Sequence, residues 1–396
     1  MKSQFREFLF EAKQLAGLLA AAATVAVFLY MGVGAVAQSK STLSALPPTP
    51  QAPKDNPTTP AKVALGRLLF WDPLLSGPQD VACASCHHPQ NGYAEDRDLS
   101  LGVTAIGLGS KRRQAPGSSI PIVKRNSPTV LNIAFSGSDQ SGSYDPATAP
   151  MFWDMRVKSL EKQALEPLKA HEEMRGTTYP EDEAVASVVA KLQANAEYRS
   201  LFAGAFGSAQ PVSAENLGRA IAAFERTLLA NNSPFDRYMR GDRSAMTEEQ
   251  VSGMQRFERV GCIKCHNGPM FSDYKLHVMG VPDNPALPAS DDGAEKTYAF
   301  RTASLRNLTF TAPYEHNGMF RTLSDVVGFY EDARGGRSRN PNVSSEKLDP
   351  LIRELGDFDE EDVDLVEFLR ALSDDSFDRT IPERVPSGLP VGGKIQ

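Results

Sequence analysis

"VACASCHHPQ", residues 81–90, sets two cysteines three positions apart and places a histidine directly after the second. "VGCIKCHNGP", residues 260–269, repeats the arrangement. All four cysteines of the chain, Cys83, Cys86, Cys262 and Cys265, fall in these two stretches. A disulfide within either pair would close a very small loop and stabilise little. A four-cysteine zinc site is the stronger rival, because paired CxxC units are its usual sequence form. Neither gives work to the histidine that follows each pair. Haem c uses every residue: the cysteines form thioethers, and His87 and His266 lie under the rings as iron ligands. Two covalently bound haems c are therefore the expected cofactors. His88, one residue further on, is expected at the surface or beside a haem propionate.

The chain's 396 residues suffice for two domains, and its composition is that of a folded globular protein. A net charge of -7 argues against a nucleic-acid partner, which requires a concentrated basic surface. No phosphate-cradling glycine motif stands out. Lys2, Arg6 and Lys13 precede an apolar run from Leu15 to Ala37. This reads as an export signal at 1–37, or as a membrane anchor, since the run approaches the roughly 20 residues that span a bilayer. A periplasmic location, with a membrane tether if the segment is retained, follows as the expectation. The Pro-rich linker at 38–62 reads as an extended spacer.

The two motif contexts form a weak internal repeat. Gly66 and Phe70 precede the first motif, Gly253 and Phe257 the second, in each case four apart on a predicted helix. Each half closes with an amphipathic helix. Leu217, Ile221, Phe224 and Leu228 share one face of the first; Leu365, Phe368, Leu369 and Leu372 share one face of the other. Thr247 and Gln250 resemble a capping box that starts the second half. Strand periodicity is absent. The expected fold is mainly α, with two cytochrome c-like haem domains packed against each other and carrying long loops. An N-terminal haem domain spans 63–240, a C-terminal one 241–380, and a tail 381–396. The basic Lys111, Arg112 and Arg113 read as a solvated loop, with an acidic docking partner as the alternative.

Several further motifs occur in one order: "LGRLLFWDPLLS", "RNSPTVLN", "FWDMR", "LEKQALEP", "RTASLRNLTFTAPYEHNG" and "VVGFYED". With the CxxCH units they resemble the bacterial dihaem cytochrome c peroxidase/MauG family from about Asn56 to Asp378. The resemblance implies an oxidoreductase that uses hydrogen peroxide, with Glu173 as acid–base catalyst, Gln163 and Pro167 in the distal pocket and Trp153 between the haems. It also implies a calcium ion held by Asn126, Thr311 and Pro313. Two positions depart from the family's typical peroxidases. Val103 stands where a distal histidine caps the first iron, so an open site is implied, with His88 and His171 as the substitute ligands at hand. Tyr330 stands where a methionine ligates the second iron, which places the chain in the tyrosine-ligated, MauG-like branch. Met270, Met279, Met319 and His277 are rival ligands for that iron, His316 reads as a pocket residue, and Glu172 is the alternative to Glu173.

The implied electron donor is a small cytochrome c or cupredoxin. In a MauG-like enzyme it would instead be a residue of a protein substrate that emerges modified. A non-enzymatic dihaem electron carrier is the rival from outside the enzymes.

Overall fold

The computed structural model describes residues 42–207, 209–358 and 362–396; the expected signal or anchor at 1–37 lies outside them. Among the described residues no helix is long and apolar enough to cross a membrane. In chain order the helices are α1 (Pro60–Trp71), α2 (Cys83–Cys86), α3 (Leu160–Gln163), α4 (Ala184–Ala194) and α5 (Ala196–Phe206). They continue with α6 (Ala214–Glu225), α7 (Pro234–Met239), α8 (Glu248–Val260), α9 (Leu323–Arg334) and α10 (Asp362–Ala371). Strands are confined to antiparallel pairs of two residues: Ala105–Ile106 with Arg113–Gln114, Pro150–Met151 with Val157–Lys158, and Leu276–His277 with Phe300–Arg301. Elements this short leave no alternation to read, so the mainly helical expectation holds and the small sheets are additions to it.

Local signals start the helices where the sequence places them. Thr59 accepts a hydrogen bond from the Lys62 amide and Pro60 opens α1. Thr247 and Gln250 form the expected capping box of α8, which ends at Gly261 in the left-handed conformation. Thr322 with Asp325 caps α9 in the same way.

The helix before each motif crosses its closing helix at a glycine. A methyl group at Gly66 on α1 would overlap the Ala220 carbonyl of α6, and one at Gly253 on α8 would overlap the Asp364 carbonyl of α10. Around the first crossing Leu65, Leu69, Phe70, Leu217, Ile221 and Phe224 form one apolar cluster. Around the second, Phe235, Phe257, Phe271 and Phe368 meet with ring centroids 5.1–6.1 Å apart. Edge-on aromatic pairs of this kind add about 0.5–1.5 kcal/mol each beyond burial.

The proline-rich stretch is extended but it is no free spacer. Leu43 and Leu46 are buried, Leu43 against Phe235 and its neighbours. Asp236 accepts from the Leu46 amide (2.9 Å) and from the buried Arg306 guanidinium (2.8 Å), which also donates to Pro269 beside the second motif. The tail is likewise anchored. Val385 joins the first cluster, and Gly392 donates its amide to the Trp71 carbonyl. The segment around Leu43 and Leu46 and the C-terminal tail thus each pack on the half remote from them in sequence, a long-range pairing that no local pattern encodes.

Gly66→Ala is expected to lower stability by about 1–3 kcal/mol through overpacking at the crossing. Gly204→Ala, on α5 with open space around its Cα, is expected to leave it unchanged or raise it by about 0.4–1 kcal/mol. Denaturant midpoints of the two variants against the parent check the pair.

Candidate functional site

Both cysteine motifs fold as a single tight turn that brings its histidine to the same kind of partner. The His87 amide donates to the Cys83 carbonyl and the His266 amide to that of Cys262, both at 2.9 Å. His87 Nδ1 lies 3.1 Å from the Tyr93 carbonyl, and His266 Nδ1 lies 3.0 Å from the Phe271 carbonyl. A carbonyl only accepts, so the proton sits on Nδ1 and Nε2 keeps its lone pair. Burial lowers the proton affinity of both rings, which holds them neutral. Neutral, oriented imidazoles of this kind are the form in which histidine binds a metal.

Tyr93 and Phe271, which supply those carbonyls, were not legible as site residues. Both are fully buried aromatics with left-handed backbone, at φ 56° and 52°. Nothing in their sequence context marks them except nearby glycines.

None of the four cysteines is in a disulfide. Burial pushes Cys83 up to about 12 and Cys86 well above its usual range. Zinc sites stabilise thiolates instead. Among the described residues the four cysteines do not converge; one cluster, Cys265, Asp273 and His277, brings three ligand-type groups together. The zinc reading therefore fails. Cysteines outside any disulfide, with a neutral histidine directly after each pair, fit a haem at both motifs.

His277 is removed as an iron ligand. Its Nε2 is 3.1 Å from Asp273 and its Nδ1 is 2.6 Å from Asp349. With Asp273 as the first cause, its proton affinity rises to about 11, so both nitrogens carry protons. Tyr330, on α9, lines the same largely apolar cavity as Cys262, Cys265, His266 and Met279. Burial raises its phenol well above the ordinary value, with Glu315, Cys265 and Cys262 adding to the effect. Met270 also borders this cavity.

At the first motif, Glu173 sits in the π-helical turn His171–Arg175. Its charge is felt at both Cys83 and Cys86, after that of Glu225 at the first and Glu95 at the second. Burial, and then the neighbouring Glu172, raises its carboxyl to about 7. Arg156 and Glu166, which also act on Glu173, line a groove open to solvent. Gln163 ends α3, half-buried, and Pro167 is likewise half-buried. Val103 is 0% exposed and packs in the core, with its amide 2.9 Å from the Glu173 carbonyl. The two substitute histidines are engaged locally. His171 Nδ1 donates to Gly176 at 3.0 Å; His88, far from being a surface residue, is buried edge-on against Trp71. Arg112 is buried too, not solvated with Lys111 and Arg113.

Trp153, Asn126, Thr311, Pro313 and His316 border the cavity that reaches the second motif. The Trp153 indole donates to the Asn126 carbonyl at 3.0 Å. Asn126 Nδ2 donates to the Arg97 carbonyl, which turns its other amide atom, an oxygen, to the remaining space. His316 stacks on Phe300 at 3.6 Å and meets Trp153 edge-on at 6.5 Å.

Comparison with known proteins bears on the same features. The family model described as di-haem cytochrome c peroxidase matches residues 60–244. The chain is 35% identical to cytochrome-c peroxidase IdrP1 of Pseudomonas sp. (strain SCT), over 84% of this chain and 85% of that protein. It is also 35% identical to the methylamine utilization protein MauG of Methylorubrum extorquens, over 84% and 83% respectively. A solved MauG-like protein associated with microbial copper homeostasis superposes with a TM-score of 0.66 at 28% identity, covering 84% of this chain and 95% of that one. The chain belongs to the bacterial dihaem cytochrome c peroxidase/MauG family, and is an oxidoreductase of its MauG-like branch.

His277→Ala is expected to leave the ligand-sensitive absorption of both haems as in the parent, because neither ring nitrogen is free. It should cost about 1–3 kcal/mol through the orphaned carboxylates. Absorption spectra and thermal midpoints read the two effects separately.

Proposed function

We propose that this chain is an exported, periplasmic dihaem c-type peroxidase that reduces hydrogen peroxide beside His87, with Tyr330 as the sixth ligand of the second haem. The observation that supports the reading is Glu173, a half-buried carboxyl with a proton affinity near neutrality, set on an irregular π-helical turn whose backbone bonds to Val103. The haems, attached through Cys83 and Cys86 and through Cys262 and Cys265, would supply peroxide binding and two-electron redox chemistry. Reduction of one peroxide to two waters consumes two electrons and two protons.

The protein's share of that reaction is proton handling and insulation. Reducing peroxide to water would require a group that takes a proton from one peroxide oxygen and delivers it to the other. A carboxyl at about 7 takes and returns a proton at neutral pH with little driving force lost in either direction. Gln163 and Pro167 would shape the pocket wall. Val103, buried in the core with its backbone tied to Glu173, offers no ligating atom to the metal. Trp153, on the cavity shared with the second motif, is the proposed relay for one oxidising equivalent. Tyr330 supplies a hard oxygen donor, which favours oxidised iron over reduced. Asn126, Thr311 and Pro313 are the proposed oxygen ligands of a calcium ion between the two sites.

The electrons come from a small cytochrome c or a cupredoxin. The Tyr330 position favours a second reading, in which they come from a residue of a partner protein that is left oxidised.

Glu173→Gln is expected to lower the peroxide reaction by about 10²–10⁴-fold. In the parent the rate should rise with pH through about 7, as the carboxyl becomes able to accept the proton. The sign for stability is opposite. The folded-state value lies above the ordinary 4.5, so the unfolded chain releases its proton first and stability falls between about 4.5 and 7. Glu173→Gln should remove that part of the slope. Rapid-mixing kinetics and denaturation across pH check both.

Tyr330→Met is expected to raise the midpoint potential of the second haem by some hundreds of millivolts, within the roughly 0.8 V that axial ligands span. An unchanged redox titration would remove Tyr330 from the coordination sphere.

A further inference from the structure

Glu173 is held from outside its own turn. Its carbonyl accepts from the Val103 amide, and a methyl group at Gly102 would overlap the carbonyls of both Glu172 and Glu173. Loop 101–107 therefore lies hard against the turn, backbone on backbone. From the other side the Gly77 amide donates to the Met174 carbonyl at 2.8 Å. The turn itself is irregular, since the Ala170 carbonyl is shared by the amides of Glu173, Met174 and Arg175 at 3.0–3.3 Å. A turn with its own bonds so divided depends on its neighbours for shape.

One side chain bridges loop 101–107 from end to end. Arg112 is 3% exposed, and three of its nitrogens donate to carbonyls of that loop. Nε reaches Leu101 at 2.6 Å, one terminal nitrogen reaches Gly102 at 2.9 Å, and the other reaches Gly107 at 2.9 Å. The planar fork spans both ends of the loop, a geometry a lysine does not reproduce. The Arg112 carbonyl is itself held by Arg97 at 2.5 Å. Other ties add to the fork: Ala105–Ile106 pairs with Arg113–Gln114, Thr104 bonds to Asp80 and Ser118, and the Gly107 amide donates to the Lys394 carbonyl.

We propose that Arg112 is a positioning residue for the peroxide reaction: by clamping loop 101–107 it fixes the turn that aims Glu173. The inference rests on the reading of Glu173 as the proton-transfer group. The charges that face Glu173 are Glu172 on its own turn, Glu166 on the segment before it and Arg156 from the loop across the groove. Arg112 bonds only to loop carbonyls, so it acts on Glu173 through backbone position.

The test uses the haem-loaded protein with Arg112→Met, Arg112→Lys and Glu173→Gln. Hydrogen–deuterium exchange should accelerate about tenfold or more across 101–107 in both Arg112 variants. The peroxide reaction should fall by about 10–100-fold, and the midpoint of its pH profile should move by about one unit. Glu173→Gln should slow the peroxide step by about 10²–10⁴-fold while leaving exchange in 101–107 as in the parent. Parent-like exchange in both Arg112 variants overturns the clamp. Faster exchange with the parent's rate and pH midpoint overturns the positioning role and leaves Arg112 a structural residue. If Arg112→Met fails to fold, Arg112→Lys carries the same comparison, because it keeps the charge and loses the fork. A fully active Glu173→Gln overturns the glutamate reading itself, an outcome distinct from a slowed Glu173→Gln beside unaffected Arg112 variants.

Discussion

Contact of backbone with backbone at two glycines sets the frame of this molecule. Gly66 on α1 and Gly253 on α8 let each helix approach its closing partner closer than any side chain allows. The consequence differs between the halves. Helix α8 ends at Gly261 and Cys262 follows at once, so the crossing at Gly253 places the second motif directly. Helix α1 ends at Trp71, and a loop intervenes before Cys83. The first motif needs a further support, which comes from the far end of the chain. Ser85, inside the motif, donates to the Gly392 carbonyl at 2.7 Å, and the Lys394 amide donates to Asp80 at 2.9 Å. A direct junction at one motif and a strap at the other achieve the same placement.

Once placed, each motif has its histidine oriented by a buried aromatic residue in a left-handed backbone conformation. That conformation costs an ordinary residue roughly 1–2 kcal/mol. Full burial of a phenylalanine-sized side chain returns about 1.5–3 kcal/mol. The second effect offsets the first, which is why Tyr93 and Phe271 are aromatic where a glycine would meet the backbone requirement alone. A glycine would aim the carbonyl but leave it unanchored. Phe271 packs on Phe235, Phe257 and Phe368, while Tyr93 packs on Phe70 and donates its hydroxyl to the Asp378 carbonyl. The orientation of each imidazole is thereby tied to the apolar core of its own half.

What was readable in the sequence follows from the range of each interaction. The cysteine–histidine spacing, the Thr247 capping box and the apolar faces of α6 and α10 are local, with a period or spacing to announce them. The paired Gly–Phe motif on α1 and α8 was legible as a repeat, and the crossing explains it. The burial of Arg112 was not legible, because a basic triplet in a loop gives no sign that one of its three members turns inward onto carbonyls. Leu43 and Leu46 were lost in a proline-rich context whose extended form was legible and whose docking was not. The same holds for Val385 and Gly392, which meet residues some three hundred positions away. Of the rival ligands, His277 is excluded only by two aspartates, one of them distant in sequence, and counting along the chain does not reveal that.

Charge around Trp153 bears on the proposed route between the haems. Arg125 is buried between Asp154 (2.6 Å) and Asp291 (2.5 Å), so this inner group carries one cation against two anions. Lys124 and Arg156 balance it from outside, but their side chains are about half exposed, where solvent screens them. His316, edge-on to the indole, adds no positive charge, because burial lowers its proton affinity to about 3. Arg301, which donates to the Trp153 and Phe152 carbonyls and lines the same cavity, brings the inner charges to balance, while the indole N–H is held by the Asn126 carbonyl. Removing an electron from an indole leaves a cation, and a weakly screened charge beside it changes the cost of forming it. A neutral histidine edge-on to the indole adds nothing to the cost of that cation, where a protonated imidazole would raise it.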